Sequence, residues 1–208
     1  MTQSQTESNG SKKAQFGGRR AEMRRPFLAG ERIYLRALEE SDVSGPYLDW
    51  LNDYEVTRYL ETGSFPTTED ALQKYVRTIQ TPNNVMLAII EKESGAHVGN
   101  IKLGSIQGTH RRADVGILIG DKRAWGKGYG HEATELMLEY GFRRLNLHKI
   151  TLGVYADHEG AVKSYQKLGF AIEGTLREHL FRDGTFHDEY VMGILRADYE
   201  KMREGKSA

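Results

Sequence analysis

Apolar and polar side chains alternate along Arg32-Ile33-Tyr34-Leu35-Arg36-Ala37, the two-residue period of a half-buried strand. The period then lengthens. Tyr47, Leu48, Trp50 and Leu51 fit a helix that Ser41 or Asp42 can cap, and a short second helix is expected over residues 55–60. Gly63-Ser64-Phe65-Pro66 breaks the chain, and Thr67 is placed to cap a third helix carrying Tyr75, Val76 and Ile79. Residues 85–91 and 97–107 read as strands joined by a hairpin at Lys92-Glu93-Ser94-Gly95, and residues 112–119 as the next strand. In that strand Ala113, Val115, Ile117 and Ile119 share one face, while Asp114, Gly116 and Leu118 share the other.

A helix follows with apolar residues at Tyr129, Ala133, Leu136, Met137 and Tyr140, the stripe of a helix packed on a sheet. Residues 149–155 are a strand again, which makes a right-handed crossover between parallel strands. Another helix presents Ala161, Val162, Tyr165 and Leu168 on one side and ends at Gly169, a left-handed cap. Two last strands, 170–180 and 186–195, flank the hairpin turn Arg182-Asp183-Gly184-Thr185. An antiparallel set of strands that later alternates with helices predicts a mixed α/β (α+β) domain over residues 26–200. Its central sheet is mostly antiparallel with one parallel strand pair, flanked by helices. Residues 1–25, polar and glycine-rich around Phe16 and Met23, are expected to be a disordered tail, and residues 201–208 a charged C-terminal tail.

Composition narrows the chemistry. Basic and acidic side chains balance at 29 each, so no global field points to nucleic acid or an anionic membrane surface. No apolar run approaches the roughly 18 residues of a membrane span, and no secretory signal opens the chain, so the expected address is cytoplasmic. The absence of cysteine excludes disulfides, thiolate metal sites and a cysteine acyl-enzyme together. The seven histidines show no metal-ligand spacing, so no metal is expected.

The most informative stretch is Gly120-Asp121-Lys122-Arg123-Ala124-Trp125-Gly126-Lys127-Gly128-Tyr129-Gly130-His131. Glycine at every second position uncovers the backbone where a helix begins, so that N–H groups and the helix dipole can meet an anion such as a pyrophosphate. A P-loop would need Ser or Thr after Lys127, where Gly128 stands. A Rossmann turn would need G-x-G-x-x-G rather than the G-x-G-x-G present. A second segment, His158-Glu159-Gly160-Ala161-Val162-Lys163-Ser164-Tyr165-Gln166-Lys167-Leu168-Gly169-Phe170, lies one strand further on.

Together the two segments resemble the GNAT superfamily of N-acetyltransferases, whose acyl-CoA loop reads Gln or Arg, two residues, Gly, one residue, Gly or Ala. Its second motif reads Asn, several residues, then Tyr-x-x-x-Gly-Phe. Gly128, Gly130, Tyr165, Gly169 and Phe170 match; Trp125 replaces the polar residue and His158 the Asn. The order of elements over residues 30–197 is similar as well, and resembles most the ribosomal-protein N-terminal acetyltransferase-like group. The resemblance implies a GNAT-like sheet and acetyl-CoA as co-substrate. Its pyrophosphate would rest on the amides of Trp125, Gly126, Lys127, Gly128, Tyr129, Gly130 and His131, and its pantetheine arm would lie along Ile117, Leu118 and Ile119. His158 and Ser164 would contact the arm, and Tyr165 would protonate the departing thiolate.

The implied partner is an amine acceptor, with no nucleic acid or membrane and with homodimer formation left open. Asp114 is the implied base, where some members carry a Glu; a salt bridge to Arg111 or Arg112 is the competing role. The ribosomal branch instead places a Glu where Gly153 stands. His110, His148 and His179 are weaker candidates. The runs 100–104 and 111–116 also resemble enzymes that acetylate nucleotide-linked amino sugars, and Trp50, Arg58, Tyr59 and Glu61 fall where the family shapes its acceptor site. A non-catalytic acyl-CoA-binding module and a dinucleotide-binding protein stay open on the residues alone.

Overall fold

The computed structural model describes residues 26–207. The tail expected over residues 1–25 lies outside them. The strands are β1 (Leu28–Ala29), β2 (Ile33–Ala37), β3 (Val85–Glu91), β4 (His97–Gln107), β5 (Arg112–Ile119), β6 (Lys149–Tyr155), β7 (Ala171–Arg182) and β8 (Thr185–Leu195). Among the described residues they form one sheet in the order β1-β2-β3-β4-β5-β6-β8-β7, antiparallel everywhere except at β5 and β6.

Helices cover both faces. α1 (Glu40–Asp42), α2 (Leu48–Asn52), α3 (Tyr54–Thr57) and α4 (Glu69–Ile79) lie on one. There Val43, Tyr47, Trp50, Leu51, Leu72 and Val76 pack with Met86, Ala88 and Ile90 of β3. On the other are α5 (Tyr129–Glu139), α6 (Glu159–Lys167) and α7 (Arg196–Ser207), the last running through most of the segment expected as a C-terminal tail. Ala133, Met137, Val162 and Tyr199 join Leu87, Ile89, Ile101, Val115 and Ile150 in that layer. β3 is therefore buried on both faces, which is why Val-Met-Leu-Ala-Ile-Ile runs unbroken rather than alternating.

Local chemistry departs from expectation in three places. The first helix starts at Glu39, not at Ser41 or Asp42. Asp42 accepts from the Glu39 amide at 2.8 Å because Arg36 draws its carboxylate inward through two bonds of 2.6 and 2.7 Å. Between α1 and α2 the chain widens into a π-helical turn, Val43–Tyr47, since Gly45-Pro46 cannot continue the α-helical bonding. Thr68, one residue after the expected Thr67, caps α4, its hydroxyl accepting from the Ala71 amide at 3.3 Å.

A β-bulge reorients part of the α1–α4 face. The β3–β4 register shifts where Ile89 pairs with Gly99 and Ile90 with His97. The extra residue sends Val98 to the α5 side and brings His97, like Asn100, to the α1–α4 side. Residues three apart in a regular strand would point to opposite faces.

Candidate active site

β5 and β6 pair over only three residues each, Arg112 with Lys149, Ala113 with Ile150 and Asp114 with Thr151. Beyond that point β5 stays with β4 as far as Ile119 and β6 with β8 as far as Tyr155, and the two strands no longer bond each other. The outer edge of Ile117, Leu118 and Ile119 thus borders an opening where an extended ligand can add as a further strand.

The glycine loop closes the far end of this opening. Asp121 caps a short turn by accepting from the Arg123 amide, and the chain then passes through Gly126 (φ +73°) and Gly128 (φ +80°) into α5. Two left-handed residues in alternation are natural only to glycine and leave successive N–H groups uncovered. Among the described residues the amides of Gly126 to His131 have no backbone partner. Trp125 differs. Its amide donates to Lys122 at 3.2 Å, so the run of free donors starts one residue later than expected. Its indole N–H donates to the Ile119 carbonyl at 2.7 Å, tying loop to strand, and its ring is 38% exposed. A Cβ on Gly130 would meet Ile117 and Ile119 at 3.6 Å, so the helix start lies directly against β5.

The loop also has a cation that its own sequence does not reveal. Arg32, at the entry to β2, bonds the Lys127 carbonyl at 2.6 Å and the Glu132 carboxylate at 3.0 Å, and its other amino group is 3.2 Å from where a Gly128 Cβ would be. Nothing in sequence links residues 95 to 100 apart. The Lys127 and Tyr129 side chains turn instead to Glu91: the ammonium lies 3.6 Å from its carboxylate and the phenol bonds it.

α6 holds the second motif. His131 Nδ1 and Ser164 Oγ meet at 3.4 Å, joining the two helices expected to bind the co-substrate. His158 starts the helix without a side-chain cap bond; its ring stacks on Tyr59 at 4.0 Å. Burial, reinforced by Arg58, holds its pKa below the usual imidazole value. Tyr165 packs into the same apolar layer as Ile117, Ile119, Leu152 and Val154, with Phe170 edge-on at 5.7 Å. Burial pushes its phenol up to about 12, so it keeps its proton at neutral pH.

On the opposite face, α2–α4 and the sheet enclose a cleft of about 510 Å³ bordered by Glu61, Asn100, Lys102, Gly116 and Leu118. Asp114 is exposed two residues from Gly116 and accepts from the Thr151 hydroxyl at 2.6 Å. Arg111 and Arg112, the partners in its competing salt-bridge role, bond Asn146 and Gln107 instead. Glu189 on β8 was not anticipated. A Cβ on Gly153 would lie 1.8 Å from its Oε1, so this carboxylate fills the space a side chain at 153 would take. Gly153 is two residues beyond the last β5–β6 pair, and His179 lies 3.5 Å from the Glu189 carboxylate. His110 and His148 are exposed. Of the residues expected to shape the acceptor site, Glu61 borders the cleft, whereas Trp50 is buried against His97 at 5.0 Å and against Gly120. Arg58 and Tyr59 stack beside His158 and Arg182.

Comparison with known proteins agrees with this architecture. Residues 32–171 match the acetyltransferase (GNAT) domain family. An uncharacterized N-acetyltransferase of Bacillus subtilis, YoaA, is 29% identical over 82% of this chain and 97% of its own. Spermidine N(1)-acetyltransferase of Escherichia coli is 31% identical over 80% of this chain and 88% of its own. The crystal structure of spermidine N-acetyltransferase from Vibrio cholerae in complex with CoA and spermine superposes with a TM-score of 0.75 at 29% identity, covering 82% and 99% of the two chains. The ribosomal-protein subgroup finds no support among these relatives. Among the described residues no helix is long and apolar enough to cross a membrane. With its split parallel pair, its uncovered helix start and a family match over most of its length, the chain belongs to the GNAT family of acetyl-CoA-dependent N-acetyltransferases.

Proposed function

We propose that the protein transfers an acetyl group from acetyl-CoA directly to a primary amine, without a covalent acyl-enzyme. The observation that carries this reading is the free β5 edge running into the uncovered amides of Gly126 to His131. A pyrophosphate at those amides, with Arg32 beside them, lets the pantetheine arm follow Ile117 to Ile119 into the opening. His158, Ser164 and His131 flank that path. The amine nitrogen attacks the thioester carbonyl, backbone donors in the opening hold the oxyanion, and the C–S bond breaks. Tyr165 gives the departing thiolate its proton.

The incoming ammonium must first lose a proton. Asp114 takes it, through water, in the reading the family resemblance supports. Glu189 is a second candidate on a specific observation: its carboxylate lies over Gly153, past the last β5–β6 pair, whereas Asp114 lies where β5 and β6 are still paired. The acceptor is a small-molecule amine, such as a nucleotide-linked amino sugar, or a protein N-terminus; spermidine, named for the E. coli relative, is a third candidate.

A panel of these amines with acetyl-CoA tests the reading, monitored by thiol release and product mass. Acetylated amine without a stoichiometric acetyl-protein is expected. CoA binding with no turnover on any amine would leave a non-catalytic CoA-binding module. Repeating the assay with Asp114→Asn and Glu189→Gln identifies the base, whose variant should lose about 10²–10⁴-fold in rate.

A further inference from the structure

The α1–α4 face carries a buried polar cluster that reaches the cleft. Arg36 grips Asp42 with both terminal nitrogens, Asp42 Oδ1 lies 3.7 Å from His97 Nδ1, and His97 Nε2 lies 2.9 Å from Asn100 Oδ1. Trp50 and Tyr47 stand edge-on to the imidazole with ring centres at 5.0 and 6.3 Å. Asn100 borders the cleft yet is only 1% exposed, and its Nδ2 has no partner among the described residues.

The orientation of that amide follows from chemistry. His97 Nε2 also lies 3.0 Å from the Gly99 carbonyl, which can only accept, so Nε2 carries its hydrogen. It must then meet the oxygen of Asn100, leaving the NH2 group turned away from His97. Buried polar groups are rarely left unpaired in folded proteins. Among the described residues His97 Nδ1 and Arg182 Nη1 share that state, but only Asn100 borders the cleft, where a ligand can meet it. Lys102, two residues on and bordering the same cleft, forms no ion pair among the described residues and supplies a second donor. Glu61 is the carboxylate of the cleft.

We infer that the acceptor is an amine whose body carries an oxygen acceptor, such as a hydroxyl, carbonyl or carboxylate, and that Asn100 selects it by donating to that oxygen. This rests on the acetyl-transfer reading above. A plain polyamine at neutral pH offers only N–H donors and methylenes, which leave Asn100 unmatched and bring further positive charge to Lys102. Glu61 suits the ammonium of either class, and the Thr62, Thr67 and Tyr75 hydroxyls of the cleft can donate or accept, so the discrimination falls to Asn100 and Lys102, which offer the ligand donors alone. Sites built to bond a polar group reject analogues lacking it far more strongly than apolar pockets distinguish size.

The test compares kcat/KM for an amino sugar, an amino acid amide and spermidine in wild type, Asn100→Ala and Asn100→Asp. We expect an oxygen-bearing acceptor to exceed spermidine by on the order of 10²-fold or more in the wild type. Both variants should lose about tenfold or more on that acceptor while KM for acetyl-CoA holds, which a merely structural role would not single out. Spermidine outperforming every oxygen-bearing amine overturns the inference and leaves acetyl transfer standing. So do variants that keep the preference within about twofold. No acetylation of any amine removes the underlying reading and the inference with it. If neither variant folds, the wild-type preference alone decides.

Discussion

The two faces of the sheet are built on different rules. Under α5, α6 and α7 the layer is almost wholly apolar; its one buried polar side chain in the described set, Thr134, is spent on the Gly130 carbonyl. What that side offers a ligand is chiefly backbone, a free strand edge and uncovered amides, with side chains such as Arg32, His131 and Ser164 at its margins. Under α1–α4 lie Arg36, Asp42, Thr57 and Asn100, all buried, with His97 among them. That side offers side chains, held in place by other side chains. The first arrangement suits a co-substrate common to a whole family, because any sequence with the right glycines can present backbone. The second suits an acceptor peculiar to one protein.

Breaking the polar face should have the largest effect on stability. Asp42→Ala leaves the Arg36 guanidinium buried and unpaired, which typically costs about 3–5 kcal/mol. Met137→Leu, fully buried on the apolar face, should cost less than about 1.5 kcal/mol, because volume is nearly conserved. Urea unfolding of the two variants measures the contrast, and equal losses would erase it. Burial pushes the Asp42 carboxyl up, but the Arg36 bonds, the Glu39 amide and the nearby His97 outweigh it and hold the pKa below the usual range. A lowered carboxyl contributes stability above its unfolded value, about 3.9. Wild type should therefore lose this contribution as pH falls below about 4, and Asp42→Ala should lack that acid-dependent part.

A smaller effect is expected at the backbone face. Gly128→Val places a branched side chain at φ +80°, a strain of about 1–2 kcal/mol, and crowds the approach to the amides. The neighbouring Arg32 amino group, at the end of a flexible chain, can give way, so the fold should survive. Calorimetry should show CoA affinity falling by about tenfold or more. Unchanged affinity would mean that the loop does not hold the co-substrate.

The same contrast explains what was legible in the sequence. The glycine spacing at 126, 128 and 130 and the Tyr165-to-Phe170 segment are local patterns, so their helices and turns could be read directly, along with both hairpins and the parallel pair. The acceptor side is non-local. His97 and Asn100 share a face only because a bulge intervenes, and spacing alone assigns them to opposite ones. Glu189 reaches over Gly153 from a neighbouring strand, and Arg32 reaches Lys127 from the start of the domain. Capping at Glu39 rather than Asp42 likewise depends on Arg36, a residue whose strand pattern gives no hint of an inward charge.

In the proposed mechanism the opening between β5 and β6 performs chemistry with Tyr165 as its proton donor. Tyr165→Phe keeps the ring packed against Phe170 and removes only the hydroxyl. With saturating amine and chemistry rate-limiting, kcat should fall about 10²–10⁴-fold while KM for acetyl-CoA and the melting temperature barely move. Turnover above about half the wild-type rate would contradict it and reduce Tyr165 to a packing residue.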